Sequence, residues 1–170
     1  MKDSGRPMDF FRIGLIGAGS IGTRHIKAID EVAHIELVAI ADPSPAAWAL
    51  GDSRNIEVFA DAESMLSETD VEAVIIATPT ERHHADVMTA LKYRKTVLVE
   101  KPIAATMKEA DEVTRYAAEQ ECQVLVGHQR RYYPCARMAR DIIQSGRIGR
   151  LMAVSLSLIH ISEPTRHRQI

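Results

Sequence analysis

Phe11-Arg12-Ile13-Gly14-Leu15-Ile16-Gly17-Ala18-Gly19-Ser20-Ile21-Gly22 reads as a buried strand that runs into a glycine-rich turn. An amphipathic helix is expected to follow, from Ser20 to about Glu31. Each glycine has a separate physical task in such a turn. Gly17 permits the tight exit from the strand, Gly19 lets the backbone approach a pyrophosphate, and Gly22 lets the helix pack close to the sheet. Ala18, Ser20 and Ile21 complete the loop. The helix start offers unpaired N–H groups and a partial positive charge to phosphate. Asp42 lies twenty residues beyond Gly22, at the end of a second strand, Ile35–Ala41. An acidic side chain there suits the ribose hydroxyls of a dinucleotide.

Working outward, strand-like and helix-like segments alternate. Short strands are expected at Ile56–Phe59, Ala73–Ala77, Thr96–Val99 and Val124–Val126. Ala73-Val74-Ile75-Ile76-Ala77 is apolar without alternation, as a parallel strand buried on both faces should be. Helices are expected around Ala46–Leu50, after an Asp61 cap, from about Glu81 to Tyr93, from a Thr106/Glu109 capping box to about Gln120, and from Pro134 to near Ser145. Six strands with intervening helices imply an α/β fold, a doubly wound parallel sheet. In such a sheet, ligands bind beyond the carboxyl ends of the strands where strand order reverses. Gly17–Gly22, Asp42, Thr78–Thr80, Glu100–Pro102 and Gly127–Tyr132 all fall at such ends, which points to one cleft.

Composition sets the remaining bounds. The chain has 170 residues, 46% hydrophobic and 26% charged, which suits a globular domain with a full core. A net charge of −2 supplies no electrostatic footprint for nucleic acid or an anionic membrane. The apolar runs are strand-length, too short to span a bilayer. Cys122 and Cys135 lack the spacing of a zinc site or a disulfide framework, so both are expected to be packing residues in a cytoplasmic protein without a bound metal. Trp48 is expected to pack its helix against the sheet or the adenine pocket rim, and His25 to be a surface or packing residue.

Residues 1–9 read as a disordered leader, 10–150 as the dinucleotide-binding domain, and 151–155 as the start of a further domain, opening on a possible seventh strand. The stretch 156–170, beginning Leu156-Ser157-Leu158-Ile159-His160, looks like a translated transposon-end sequencing adaptor and is read as non-native.

Three motifs carry a family resemblance. Ala77-Thr78-Pro79-Thr80 with His83, then Glu100-Lys101-Pro102, then Gly127-His128-Gln129-Arg130-Arg131-Tyr132 resemble the glucose–fructose oxidoreductase, inositol dehydrogenase and MocA family. The similarity covers about Phe10 to Val154. It implies a Rossmann domain followed by a second, α+β domain, here truncated away, that completes the substrate pocket and mediates homo-oligomerisation. It also implies hydride transfer between NAD(P) and a hydroxyl-bearing carbon of a sugar, cyclitol or related alcohol. Lys101 is the implied catalytic lysine. Thr78, Pro79 and His83 are expected on the nicotinamide side, Glu100 and Lys101 at the cofactor, and Arg131 near cofactor or substrate. The implied catalytic aspartate and histidine lie in the second domain, so this chain alone is expected to bind NAD without turnover. Asp42, followed by Pro43 and Ser44 rather than arginine, favours NAD over NADP. Two other readings stay open: a non-catalytic dinucleotide-binding or redox-sensing module, and a reductase of the dihydrodipicolinate or biliverdin type.

Overall fold

The computed structural model describes residues 10–155. The expected leader and the adaptor-like stretch lie outside the described residues. The chain divides into two compact units, one ending at His128 and the other beginning at Gln129.

In the first unit the strands β1 (Phe11–Ile16), β2 (Ile35–Ala41), β3 (Glu57–Phe59), β4 (Ala73–Ile76), β5 (Thr96–Val99) and β6 (Val124–Val126) form one parallel sheet. Their order is β3-β2-β1-β4-β5-β6. The chain therefore winds outward from β1 in one direction, returns, and winds outward from β4 in the other. Helices α1 (Ser20–Asp30), α2 (Pro45–Arg54), α3 (Ala62–Glu68), α4 (Thr80–Lys92) and α5 (Met107–Glu119) make the connections.

Alternation along the strands sorts the core into two layers. Ile13 and Leu15 of β1, with Ile75 of β4, pack with Ile26 and Ile29 of α1. Ile16, Val74 and Ile76 pack with Met65, Val87, Leu91 and Val113, from α3, α4 and α5. β4 is buried along its whole length, as its unbroken apolar run requires. Each fully buried valine or leucine here contributes about 1.5–3 kcal/mol by leaving water. A bulge interrupts β2: Ile13 pairs with Leu37, but Gly14 pairs with Ala39. The extra residue, Val38, lets Leu37 and Ile40 face the same layer although they are an odd number apart. At Gly14 a Cβ would stand 2.8 Å from Cε of the buried Met65, so a side chain there displaces the end of that methionine.

Helix ends follow local chemistry. Ser44 Oγ accepts the Ala47 N–H and Pro45 occupies the first turn of α2. This helix runs past the expected Leu50 to Arg54, where Asn55 ends it in the left-handed conformation. Gly51 is a packing glycine inside it, because a Cβ there would meet Val58 at 2.2 Å. Asp61 caps α3 through the Ser64 N–H at 2.9 Å. The Thr106 hydroxyl accepts the Glu109 N–H while the Glu109 carboxylate accepts the Thr106 N–H, which closes the expected capping box on α5.

The second unit holds a 3-10 turn (Gln129–Tyr132) and α6 (Pro134–Gln144), with Arg137 over the Tyr132 ring at 5.7 Å. Residues 151–155 carry no strand, contrary to the expected seventh. Two packing expectations also change. Cys122 is half-buried, but Cys135 is exposed on α6. Trp48 is 45% exposed, because α2 turns Ala47 and Gly51 toward the sheet instead.

The capping box makes α5 a test of local stabilisation. Thr106→Ala is expected to lower unfolding stability by about 1 kcal/mol in urea denaturation. An unchanged midpoint would show that the box contributes nothing to holding Val113 and Ala117 against the sheet.

Candidate functional site

The site begins where β1 ends. Gly17 has φ +90°, and a Cβ there would stand 2.8 Å from Thr78 N and 2.9 Å from the Ala77 carbonyl carbon. The turn therefore lies directly on the chain leaving β4, in a conformation that L side chains rarely adopt. Gly22 is closed for a second reason: its Cβ would fall 2.1 Å from the Gly17 carbonyl oxygen. Gly19 differs from both, since a Cβ there would meet nothing within 4 Å. It is the N-cap of α1 and offers no capping side chain, so the first-turn N–H groups face open space. Backbone that is open at Gly19 and close-packed at Gly17 and Gly22 is what a phosphate cradle at a helix start requires.

Asp42 closes the other side. Its Oδ2 accepts the Ala18 N–H and its Oδ1 accepts the Ser44 N–H, each at 2.8 Å. Burial pushes this carboxyl up. The hydrogen bonds from Ser44 and Ala18, with the nearby Arg82 charge, outweigh burial and hold it below the usual aspartate range. The carboxylate is thus a fixed anion that orders the glycine turn. The Ala18 amide serves Asp42 and is not one of the amides left facing the cradle.

A crevice of about 380 Å³ runs over this edge of the sheet. Gly17, Gly19, Ser20 and Ile21 line one wall, and Asp42, Pro43 and Asp61 line another. Thr78, Pro79 and Arg82 close it from the β4 side. It therefore lies at the β1/β4 reversal. Sequence reasoning missed Asp61 and Arg82 as wall residues. Their signal was positional: each sits at the start of a helix that follows a strand of this sheet.

Thr78 is held by a group that was also missed. Its hydroxyl donates to Oδ2 of the buried Asp86 at 2.7 Å, while Arg82 donates to Oδ1 at 3.2 Å. His83, expected on the nicotinamide side, is 1% exposed and does not line the crevice. Its ring bridges two backbone carbonyls, Nδ1 to Pro102 O at 2.6 Å and Nε2 to Thr78 O at 2.8 Å. The cause is helical period: His83, Asp86, Val87, Ala90 and Leu91 form the inward stripe of α4.

Glu100 and Lys101 follow β5 on the same sheet edge, next to the end of β4. They lie outside the crevice lining. Glu100 Oε1 accepts from His25 Nε2 of α1 at 3.0 Å, and its Oε2 accepts the Lys101 N–H at 3.2 Å. Lys101 precedes Pro102 through a cis peptide bond and is itself exposed. Among the described residues its ammonium has no ion-pair partner. His25 was read as a surface or packing residue; it instead ties α1 to the loop after β5. Arg131 belongs to the second unit, where it is exposed in the 3-10 turn.

Known proteins carry the same pattern. Residues 11–128 match the model of the Gfo/Idh/MocA oxidoreductase family, NAD-binding Rossmann fold. The rhizopine catabolism protein MocA of Rhizobium meliloti is 33% identical over 148 residues, which is 87% of this chain and 47% of that protein. An inositol 2-dehydrogenase of Rhizobium meliloti is 32% identical, over 90% of this chain and 46% of its own length. Among solved structures, scyllo-inositol dehydrogenase from Lactobacillus casei with bound NAD(H) and scyllo-inositol aligns with a TM-score of 0.79 at 28% identity. That match covers 82% of this chain and 42% of the other. The WlbA dehydrogenase from Bordetella pertussis, in complex with NADH and UDP-GlcNAcA, also gives 0.79 at 28% identity, over 83% of this chain and 44% of its own. The chain thus spans less than half the length of these relatives. The family match takes in every strand of the sheet and each wall of the crevice, and on that ground the chain belongs to the Gfo/Idh/MocA oxidoreductases, whose NAD-binding Rossmann fold it forms.

Proposed function

We propose that this chain is the cofactor-binding portion of an NAD-dependent oxidoreductase acting on a secondary alcohol of a sugar, cyclitol or related polyol. The observation that carries the reading is the open Gly19 backbone at the start of α1, braced from below by Gly17 and Gly22. The amides of Ser20 and Ile21 meet the pyrophosphate there. Asp42 accepts from the adenosine ribose hydroxyls on the unused lone pairs of its carboxylate, and its charge repels a 2′-phosphate. NAD is therefore preferred over NADP. Thr78 and Pro79 continue the wall toward the nicotinamide end, and the buried Asp86 keeps the Thr78 hydroxyl fixed. Bound NAD supplies the hydride acceptor. Lys101 donates a hydrogen bond to the reacting hydroxyl oxygen and stabilises negative charge developing on it. Glu100 holds the Lys101 backbone, and Arg131 is assigned to cofactor or substrate contact. Residues 10–150 form the cofactor domain, and 151–155 begin the next.

The remaining catalytic groups come from the length of the relatives that this chain does not span. The full protein is a cytoplasmic homo-oligomer with no nucleic-acid or membrane partner. No helix among the described residues is long and apolar enough to cross a membrane. The similar proteins support the substrate class, since they include dehydrogenases of inositols and a dehydrogenase in complex with a sugar nucleotide.

Titration of the purified chain with NADH, followed by nicotinamide fluorescence, tests the reading. Saturable binding, tighter for NADH than for NADPH, is expected; no binding would overturn it. Gly19→Ala should weaken NADH binding about tenfold, a loss of about 1.4 kcal/mol, and leave the melting temperature unchanged. Gly22→Ala should instead lower the melting temperature, because its Cβ meets backbone. Equal affinity in Gly19→Ala would remove the pyrophosphate from this turn.

Asp42→Asn should narrow the preference for NADH over NADPH. The sign of its pH effect follows from the lowered carboxyl. A group whose folded pKa lies below its ordinary value of 3.8 stabilises the fold above that value, and the contribution fades as pH falls through the lowered one. Cofactor preference should therefore be flat from about pH 5 to about pH 8. Below about pH 4, wild type should lose more stability than Asp42→Asn. Acid titrations in which both lose equal stability would show that the carboxylate is not held by Ala18 and Ser44.

A further inference from the structure

We infer that His25 and His83 are a pair of positioning residues that clamp the backbone on either side of Lys101. The inference rests on the proposed role of Lys101 and extends it to side chains that touch neither crevice nor substrate. His25, on α1, donates from Nε2 to the Glu100 carboxylate at 3.0 Å. The other carboxylate oxygen accepts the Lys101 N–H at 3.2 Å, so the imidazole reaches the lysine backbone through a single carboxylate. Gly127 closes the far side of that carboxylate: a Cβ there would stand 3.4 Å from Glu100 Cδ. His83, on α4, reaches Pro102 O at 2.6 Å and Thr78 O at 2.8 Å. It therefore joins the residue after the lysine to the chain leaving β4, which carries the crevice wall.

The two histidines come from different helices, on opposite layers of the sheet. Between them they hold the residue before Lys101 and the residue after it. Glu100 and His25 side chains are 17% and 21% exposed and His83 is buried, whereas Lys101 is exposed. The loop is thus fixed at its base and free at its one long side chain. Fixing the Cα of a lysine this way limits the ammonium to the reach of its own rotamers, and placement within a fraction of an ångström is what orientation at a reacting atom demands. The buried His83 ring, against both carbonyls and donating to one of them, also seats Pro102 beside Thr78 of the crevice wall.

Amide hydrogen exchange on the whole chain tests the clamp. His25→Ala should speed exchange at the Lys101 amide about tenfold, the effect of losing one hydrogen bond to a charged group, and leave Gly17–Gly22 unchanged. His25→Gln, which keeps an N–H for the Glu100 carboxylate, should restore wild-type exchange. His83→Asn should loosen the same amide; should that variant fail to fold, the two His25 variants decide alone. Unchanged exchange in His25→Ala overturns the inference. Acceleration throughout the chain also overturns it, since that is a general loss of stability, and so does failure of His25→Gln to restore. NADH titration of the wild-type chain separates the two readings: absent binding removes the proposed cofactor role and leaves the exchange result on the loop standing.

Discussion

The close approach of two strand ends is the constraint on which the site depends. Gly17 leaves β1 so near to Ala77 and Thr78, at the end of β4, that no side chain fits between them. β1 and β4 are adjacent in the sheet because the order reverses there. The same contact sets where α1 starts, and the Gly17 carbonyl then sets how near Gly22 must lie. A crevice opens above because both chains turn away from each other after touching. The crevice floor at Gly17 and Gly19 is therefore backbone, and side chains such as Asp42, Asp61, Pro79 and Arg82 wall it. A ligand that meets it meets N–H groups already oriented by the fold.

Polar groups below that surface divide the work. Asp42 orders the turn from the β2 side through the Ala18 amide, and Asp86 orders Thr78 from inside α4. His83 takes the carbonyls of Thr78 and Pro102, and His25 takes the Glu100 carboxylate. Buried polar groups are costly unless satisfied, so each of these bonds also constrains which neighbours are allowed. The consequence is a chain of contacts from β2 through the glycine turn and β4 to the loop after β5.

Much of the fold was legible because each strand carries its own signal. The apolar run at Ala73–Ile76 had to be a strand covered on both faces, and Thr106 with Glu109 had to begin a helix. Glycine spacing gave the turn, and Asp42 gave the acidic partner at the end of β2. The site was legible where its residues act through local sequence, and obscure where they act across it. His25 and Glu100 are 75 residues apart, and nothing near His25 announces its partner. His83 carries a motif that suggests the cleft, while its spacing to Val87, Ala90 and Leu91 puts it on the buried stripe of α4, behind the crevice lining. Asp86 lies on that stripe too, where a carboxylate is rare and needs donors such as Thr78 and Arg82. Cys135 was expected to pack because its spacing to Cys122 suits neither zinc nor a disulfide, and spacing does not say which way a helix faces.

The bulge in β2 has a bearing on how much length variation this architecture tolerates. Because Val38 is surplus to the ladder, the pairs from Gly14–Ala39 to Ile16–Ala41 are already spaced as in a strand one residue shorter. Loss of that residue would leave the inward and outward sets of β2 where they are and Asp42 still aimed at the turn. The strand thus carries a single built-in point of slack, set upstream of the carboxylate whose aim matters most.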